Sequence, residues 1–220
     1  MADPNTPADA RERLIQAGID IFAEYGFTAT TTRMLADKAQ VNLSAIPYYF
    51  RSKEGLYNAT VGHIADVLAD HLTPFLDRLQ TETAKGFAPE TARLLLQQGL
   101  STMVTVMCGD PGTMRFSQII LREQMAPTAA FDLIYPKVME RMLSAFSTLI
   151  ATITGETDPR QCSLQAILLM GQVMVFRAGK ATVVRRIGMA GYTAGEIAEI
   201  QELVVSRAMA ALDFMATRQA

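Results

Sequence analysis

The sequence predicts an all-α protein of about nine or ten helices. Apolar residues recur at helical spacing along most of the 220 residues, and no segment shows the strict alternation of apolar and polar residues that marks a strand. Half of the residues are hydrophobic, which is enough to bury a large core. Glycines, prolines and N-capping residues divide the periodic segments into helices with short connections. These observations favour a helical bundle over a protein built around a sheet.

The N-terminal helices are short and closely spaced. We expect a polar arm over residues 1–7, followed by a helix that ends at Gly26, because glycine readily adopts the conformation of a helix C-terminus. Thr31 is a suitable N-cap for a second helix through Ala39. A third, short helix and then a long helix from Ser52 follow. This order is that of a helix-turn-helix, although spacing alone favours an ordinary helical hairpin in a bundle.

Pro47 restricts the third helix. If Asn42 is the N-cap, Pro47 removes a backbone hydrogen bond inside the helix. If Ser44 is the N-cap, the proline falls in the first turn, where it costs almost nothing. We therefore expect a third helix that is short, starts late or begins as a loosened turn.

The rest of the chain predicts longer helices. Pro74 is expected to kink or end the long helix. The expected domain boundary also falls within this helix and divides the chain into residues 1–55 and 56–220. An Asp-Pro pair at 158–159 and the capping box TAGE at 193–196 each predict a helix start. The expected helices cover about 89–108, 112–125, 128–154 with an interruption near Pro136, 159–179, 180–188 and 193–216.

Residues 22–57, FAEYGFTATTTRMLADKAQVNLSAIPYYFRSKEGLY, are similar to the DNA-binding domain of TetR-family transcription regulators. The matching positions are Gly26-Phe27, Thr31-Thr32, Ala36, Ala39, Val41, Tyr49-Phe50 and Lys53-Glu54. Two positions depart from the family: its frequent turn glycine is Gln40 here, and Pro47 stands where a tyrosine often approaches the DNA backbone. The resemblance implies a helix-turn-helix DNA-binding domain in residues 1–55 and an effector-binding and dimerisation domain in residues 56–220. It also implies double-stranded operator DNA as the partner of a homodimer.

The candidate DNA-contacting side chains lie at helix starts and on the third helix. Hydroxyl and N–H groups at Thr31 and Thr32 suit a phosphate at a helix N-terminus, and the charges of Arg33 and Lys53 suit the DNA backbone. By the resemblance, the third helix enters the major groove, and Tyr49 is a candidate for phosphate contact. The other candidates on or before that helix, for base or sugar contact, are Asn42, Leu43, Ser44, Ala45 and Tyr48.

The third helix has no long polar side chain at its middle. Base recognition is therefore expected to depend on DNA shape and on apolar contacts, to which Leu43 and Ala45 are limited. Because the family's tyrosine is missing at Pro47, we expect Tyr48, Tyr49 and Lys53 to hold the DNA instead. The formal net charge of the whole chain is −2, which excludes a general polyanion binder. Residues 28–60 nevertheless carry a net positive charge, so a local contact with DNA remains compatible with the composition.

Two C-terminal stretches are similar to the CecR-like subgroup of the TetR family: TMRFSQIILREQMAPTAAFDLIYPKVMERML at 113–143 and GQVMVFRAGKATVVRRIGMAGYTAGEIAEI at 171–200. Members of the subgroup are linked to responses to drugs and toxic compounds, which implies a hydrophobic small-molecule effector. We expect the effector to release a repressor from its operator.

The candidate effector-binding residues combine methionines with a few charged groups. Each Met in this half suits core filling, and as a group they also suit an adaptable ligand pocket. Arg122, Glu123 and Arg177 interrupt apolar runs and are candidates for a buried ion pair or for polar ligand anchors. The complete set is Met103, Met107, Phe116, Ile119, Arg122, Glu123, Met170, Met174 and Arg177.

The final helix predicts a dimer. Its apolar face is wider than packing on one side requires, so with the 159–179 helix it is expected to form the four-helix dimer interface that the family uses. Ala208 and Ala211 are expected to permit close approach of the two subunits. The apolar stripe consists of Ile197, Ile200, Val204, Ala208, Ala211 and Met215.

The sequence lacks the signatures of an enzyme. It contains no nucleophile elbow, Cys-x-x-Cys pair or phosphate-binding glycine loop. His63 and His71 are too far apart along one helix to share a metal ion. Cys108 and Cys162 lie in apolar surroundings, which favours buried free thiols over a disulfide. We therefore expect no catalysis, no metal and no cofactor.

The sequence also lacks a secretory signal and any apolar run as long as a membrane span. We expect a cytoplasmic protein without a membrane partner. The alternative class is a carrier of hydrophobic ligands or lipids on the same fold, without DNA binding. A carrier would have no reason to keep Thr31-Thr32 and Lys53.

Overall fold

The computed structural model describes residues 7–109 and 111–218, and every regular element in these ranges is helical. The expected polar arm lies outside the described residues except for Pro7, at which the first helix begins. Two π-helical turns, Thr105–Gly109 and Tyr135–Met139, extend the preceding helices. The all-α class is confirmed. The α-helices are α1 Pro7–Ala29, α2 Thr32–Ala39, α3 Ala45–Phe50, α4 Lys53–Lys85, α5 Pro89–Val104, α6 Pro111–Met125, α7 Phe131–Ile134, α8 Glu140–Thr154, α9 Pro159–Ala178, α10 Lys180–Ile187 and α11 Ala194–Thr217.

The chain divides into two compact units. Unit 1 comprises Met1–Ala69 and Met114–Val138, and unit 2 comprises Asp70–Thr113 and Met139–Ala220. Because the boundaries fall inside helices, α4 and α6 each contribute residues to both units. These compact units do not test the division into a DNA-binding domain, residues 1–55, and an effector-binding domain, residues 56–220, which stays a prediction.

Unit 1 is built on the first four helices. Its core is formed by apolar side chains that are almost completely buried, among them Leu14, Phe22, Leu35, Ile46 and Leu56. The expected break at Gly26 is confirmed, since this residue has φ 74° and ψ 172°, a backbone conformation that only glycine adopts without strain. One further helical turn to Ala29 follows the break.

Unit 2 is a bundle whose core lies among the C-terminal part of α4 and helices α5, α8, α9 and α11. Residues Leu96, Leu100, Phe146, Leu149 and Ile150 are fully buried at its centre. The small residue Ala208 of α11 is also fully buried in this core. It is therefore not available to a partner subunit, and the expectation that it lies at a dimer interface is wrong.

Most of the expected helix boundaries of unit 2 are confirmed. The Asp158 side chain accepts a hydrogen bond from the Arg160 N–H at the start of α9, and Thr193 and Glu196 form a capping box at α11. Pro74 lies inside α4, which continues to Lys85. The expectation that Pro74 could end this helix is therefore wrong. Both cysteines are buried free thiols, as expected.

No single helix within the described ranges has both the length and the hydropathy of a membrane span. The pair α9 and α10 passes that test only when the two helices are taken together across a bend of 69°.

Candidate nucleic-acid interface

The turn between α2 and α3 is closed by backbone hydrogen bonds of a Schellman motif. The Val41 N–H donates to the Ala36 carbonyl at 3.0 Å, and the Gln40 N–H donates to the Asp37 carbonyl at 3.2 Å. Gln40 itself is left-handed, with φ 53° and ψ 48°. A glutamine thus takes the conformation that glycine usually provides at a helix end, and the turn keeps its geometry.

The start of α3 is organised by Asn42. Its Oδ1 accepts hydrogen bonds from the backbone N–H and from the hydroxyl of Ser44, both at 2.9 Å. Helix α3 then begins at Ala45, with Ser44 at the N-cap position and Pro47 as the third helical residue. The first turn has no intrahelical use for the N–H that proline lacks, so the short, late-starting helix is confirmed.

One face of α3 is buried and the other is exposed. Ile46 and Phe50 lie in the core of unit 1, whereas Tyr48 is 78% exposed. Leu43, in the turn directly before the helix, is 45% exposed. Gly55 fixes the end of the helix against the first turn of α4, because a Cβ at this residue would lie 2.0 Å from the Phe50 carbonyl oxygen. The exposed face of α3 thus lies opposite a face that is packed into the core and against the start of α4.

The start of α2 offers polar groups to an anionic partner. Thr31 is the N-cap and accepts a hydrogen bond from the Met34 N–H at 3.2 Å, which leaves its hydroxyl hydrogen able to donate. Arg33 is exposed and Thr32 is half-buried. This arrangement can bind a phosphate at the positive end of the helix dipole.

Lys53 has a structural function beside its predicted one. Its ammonium donates to the carbonyl oxygens of Phe27 at 2.9 Å and of Thr30 at 2.8 Å, and it lies 4.4 Å from the centre of the Phe27 ring. These bonds use two of its three N–H donors. Lys53 therefore ties the start of α4 to the end of α1, and its contact with DNA stays a prediction.

Tyr57 and Glu123 form a buried hydrogen bond inside unit 1. The Tyr57 hydroxyl donates to Glu123 Oε1 at 2.6 Å, and the same carboxylate accepts from the N–H of Thr128 at 3.0 Å and from its hydroxyl. Burial raises the pKa of Tyr57 far above its usual value, and the hydrogen bond to Glu123 adds to this increase.

Arg122 and Glu123, two of the candidates for a buried ion pair, do not pair with each other in the described structure. The guanidinium of Arg122 donates instead to the carbonyl oxygens of Phe22 at 2.5 Å and of Glu24 at 3.3 Å, close to the break at Gly26. These two adjacent residues of α6 thus hold α1 and α4, the helices that precede and follow α2 and α3. Sequence reasoning singled them out because they interrupt an apolar run, but it gave them no such role.

Residues 92–215 match the family model described as the C-terminal domain of the HTH-type transcriptional dual regulator CecR. Residues 14–60 match the model of the bacterial regulatory proteins of the tetR family. The chain belongs to the TetR family. Within this family it is CecR-like: it is 35% identical to the HTH-type transcriptional dual regulator CecR of Shigella flexneri, over 83% of this chain and 82% of that protein.

Other relatives of this TetR-family regulator are more distant. The HTH-type transcriptional regulator RutR of Escherichia coli (strain K12) is 28% identical over 41% of this chain and 48% of its own length. The solved structure of a TetR-like transcriptional regulator from Rhodococcus sp. RHA1 has a TM-score of 0.63 at 20% identity, and the match covers 94% of this chain and 97% of that one. This structural likeness shows the shared fold.

The candidate effector-binding residues of the TetR-family chain lie in both units. In unit 1, Ile119 is buried, Phe116 is half-buried, and Arg122 and Glu123 hold the contacts described above. In unit 2, Met103 belongs to the buried core, and Met107, Met170 and Met174 pack against it. Arg177 is 8% exposed and donates to the Met107 carbonyl at 3.1 Å. The methionines therefore fill the core, and their contact with an effector stays a prediction.

Arg51 is a candidate that sequence reasoning counted only as a charge. It follows the last residue of α3, is exposed, and has φ 69°, while its N–H donates to the Pro47 carbonyl at 3.1 Å. Lys38, the other cation of the segment without an assigned role, pairs with Asp20 at 3.1 Å. The position of Arg51 directly after α3 is the signal that would have added it to the candidates.

Proposed function

We propose that this TetR-family regulator binds a pseudo-palindromic operator as a homodimer in the cytoplasm and represses transcription until a hydrophobic effector releases it. Residues 1–55 supply DNA binding in this proposal, and residues 56–220 supply effector binding and dimerisation. The observation that supports it most directly is that α3 is packed into the core on one face and exposed on the other, and that it follows the polar N-terminus of α2 in a helix-turn-helix. A helix held in this way is suited to the major groove, with phosphates at its flanks.

The charges around α3 support phosphate contacts of modest number. Arg33 and Arg51 are exposed, and Lys53 keeps one donor beyond its two bonds to carbonyl oxygens. Each phosphate that a cation neutralises releases counterions, so binding is expected to weaken steeply as salt increases. A dimer doubles the number of such contacts without any change in the subunit.

Dimerisation is supported by two apolar helix faces in unit 2 that point away from its core. On α9, Leu164, Ile167, Leu168 and Val175 recur at helical spacing and are between 41% and 59% exposed. On α11, Leu203 and Phe214 are 44% and 64% exposed. Exposed apolar side chains that share one helix face are typical of a protein–protein contact. A twofold-symmetric pairing of α9 and α11 would cover it.

An effector site in unit 2 is supported by the nature of its core. Met107, Met170 and Met174 pack against this core, and the buried Arg177 donates to the Met107 carbonyl, so a hydrophobic molecule would find adaptable apolar side chains close to a polar group there. The regulator FadR from Bacillus subtilis, which shares the fold at a TM-score of 0.55, has been solved in complex with stearoyl-CoA. Helix α4, which contributes residues to both units, is the element to which we assign the coupling.

Release requires that the effector bind two conformers with different affinity. A ligand that binds the DNA-competent and the incompetent conformer equally well shifts nothing, however tightly it binds. In the proposed mechanism the effector favours the conformer in which the two recognition helices of the dimer no longer match successive major grooves.

A mobility-shift titration tests the proposal. The full-length protein is expected to shift a duplex that contains the DNA upstream of its own gene at about 50 mM salt, and the shift is expected to weaken strongly at about 200 mM salt. Replacing Arg33 by Ala is expected to reduce the affinity of the dimer by roughly tenfold for all sequences. The matched control is Arg141→Ala, an exposed arginine of α8 in unit 2.

No shift by a folded dimer at low salt would refute DNA binding and favour the carrier of hydrophobic ligands. If Arg33→Ala and Arg141→Ala lower the affinity for DNA equally, the effect is one of overall charge and not of contact at α2.

A further inference from the structure

The exposed face of α3 is chemically unusual for a surface that reads bases. Residues 41–50, VNLSAIPYYF, contain no charged side chain. The largest exposed groups of this segment are the Leu43 side chain, in the turn directly before α3, and the Tyr48 ring on the helix, at 45% and 78% exposure. Pro47 lies between them in sequence and is also exposed. Its ring adds apolar surface, and it brings no N–H of its own.

The short polar side chains at the start of α3 are engaged within the protein. Asn42 Oδ1 accepts two hydrogen bonds from Ser44, one from the backbone N–H and one from the hydroxyl. Rotation of either side chain toward a base would break the bonds that organise the start of the helix. The Asn42 amide nitrogen and the tyrosine hydroxyls remain as donors, but the face lacks the arginine, lysine or glutamine that makes the usual bidentate contact with guanine or adenine.

Base pairs present one apolar group in the major groove, the C5 methyl of thymine. An apolar face cannot distinguish the hydrogen-bonding patterns of guanine, cytosine and adenine, but it gains free energy by covering a methyl group. We propose that α3 and the turn before it recognise the operator through thymine methyl groups, with Leu43 of the turn and the ring of Tyr48 on the helix as the residues that determine specificity. This inference rests on the proposed DNA binding and specifies what the recognition helix reads.

Thymine-to-deoxyuridine substitution tests the inference without changing the protein. A·U pairs keep every hydrogen-bonding group of A·T pairs and lose only the methyl. Binding sites are first selected from a random duplex pool with the full-length protein, and the affinity of the selected duplex is then compared with that of its deoxyuridine version. Selected half-sites are expected to contain thymine at the positions facing α3. Loss of one covered methyl is expected to lower affinity about fourfold. Because the dimer binds two half-sites, loss of one methyl in each is expected to lower its affinity roughly fifteenfold.

Leu43→Ala identifies the residue that covers the methyl. This variant is expected to bind the thymine duplex more weakly and to lose most of its sensitivity to deoxyuridine, because the two changes remove the same contact. Leu43 is 45% exposed, so truncation leaves the core of unit 1 intact. The matched control is Leu94→Ala on α5, at 63% exposure, which is expected to keep the full sensitivity of the unmodified protein.

Three results would overturn the inference. Affinities for the thymine and deoxyuridine duplexes within twofold of each other would exclude methyl recognition while DNA binding stands. Selected half-sites in which every specified position is a G·C pair would also exclude methyl recognition while DNA binding stands. A folded protein that enriches no sequence and binds no duplex at low salt would instead refute the proposed function, and this inference with it.

Discussion

At the scale of single residues, the hydrogen bond between Tyr57 and Glu123 satisfies a buried carboxylate and connects helices that are distant in sequence. Tyr57 and Glu123 are 6% and 2% exposed, so the carboxylate depends on protein donors in place of water. Those donors are the Tyr57 hydroxyl and the N–H and hydroxyl of Thr128. The Tyr57 ring also packs against Phe22 and Phe27, with centroid distances of 4.9 and 5.2 Å. The pair thus connects α6 and α4 to the end of α1.

Replacing Tyr57 by Phe is expected to destabilise the protein by about 1–3 kcal/mol at pH 7, because it removes one donor from a buried carboxylate and keeps the ring packing. Urea unfolding followed by circular dichroism measures this change. Tyr135→Phe is the matched control, since Tyr135 is 39% exposed and its free energy of unfolding should change by less than about 0.5 kcal/mol. Equal effects of the two variants would show that the buried hydroxyl contributes nothing of its own.

The same pair predicts a loss of stability in alkaline solution. The pKa of Tyr57 is raised in the folded state, so above about pH 10 the unfolded chain releases this proton while the folded chain retains it. The folded state then binds more protons, and its stability falls with pH by at most about 1.4 kcal/mol per unit from this group. The stability difference between the unmodified protein and Tyr57→Phe should therefore narrow above pH 10. A constant difference up to pH 11 would contradict the raised pKa.

At the scale of elements, the structure separates what local sequence dictates from what it leaves open. The start of α3 could be predicted because Asn42, Ser44 and Pro47 act within a few residues of one another. The left-handed Gln40 could not, because the backbone bonds that close the turn override the preference for glycine. The bonds of Lys53 to carbonyl oxygens more than twenty residues away also lie beyond any local pattern.

Two features of the helices could not be predicted from periodicity alone: where a helix is interrupted, and which side of an apolar stripe faces the core. The π-helical turn Thr105–Gly109 inserts extra backbone at the end of α5, and nothing in its sequence indicates it. The apolar stripe of α11 was predicted, but not which part of it faces inward: Ala208 is buried and Ala211 is exposed. Periodicity identifies an amphipathic helix, whereas the side that meets the core depends on the neighbouring helices.

Two prolines test how much position within a helix matters. Pro47 is in the first turn of α3, whereas Pro74 lies inside α4, where it removes an intrahelical hydrogen bond. Pro47→Ala should change the free energy of unfolding by less than about 0.5 kcal/mol, and Pro74→Ala should raise it by about 1–3 kcal/mol. Urea unfolding of both variants measures the contrast. A large change at Pro47 with none at Pro74 would mean that the helix positions do not control the cost of these prolines.

At the scale of the whole molecule, the proposed function depends on a second copy of the chain. In that proposal one α3 reads a few base pairs, and affinity for an operator comes from two copies held one helical turn of DNA apart. The outward faces of α9 and α11 are the surfaces we assign to this pairing, because their exposed leucine, isoleucine, valine and phenylalanine side chains have no core to cover them. In a twofold-symmetric interface every substitution acts twice.

Leu168→Glu is expected to separate the subunits. The substitution introduces a carboxylate on each of two apposed copies of α9, and burying these unpaired charges costs several kcal/mol, so the dimer dissociation constant should rise at least about a hundredfold. Light scattering after size exclusion measures the mass, which should fall to that of one 24.1 kDa chain. Leu94→Glu, at a similarly exposed leucine of α5, should leave the dimer intact. If Leu168→Glu remains dimeric at micromolar concentration with its helical content unchanged, the pairing must use another face. If it becomes monomeric yet keeps its operator affinity, the recognition helices do not act as a pair.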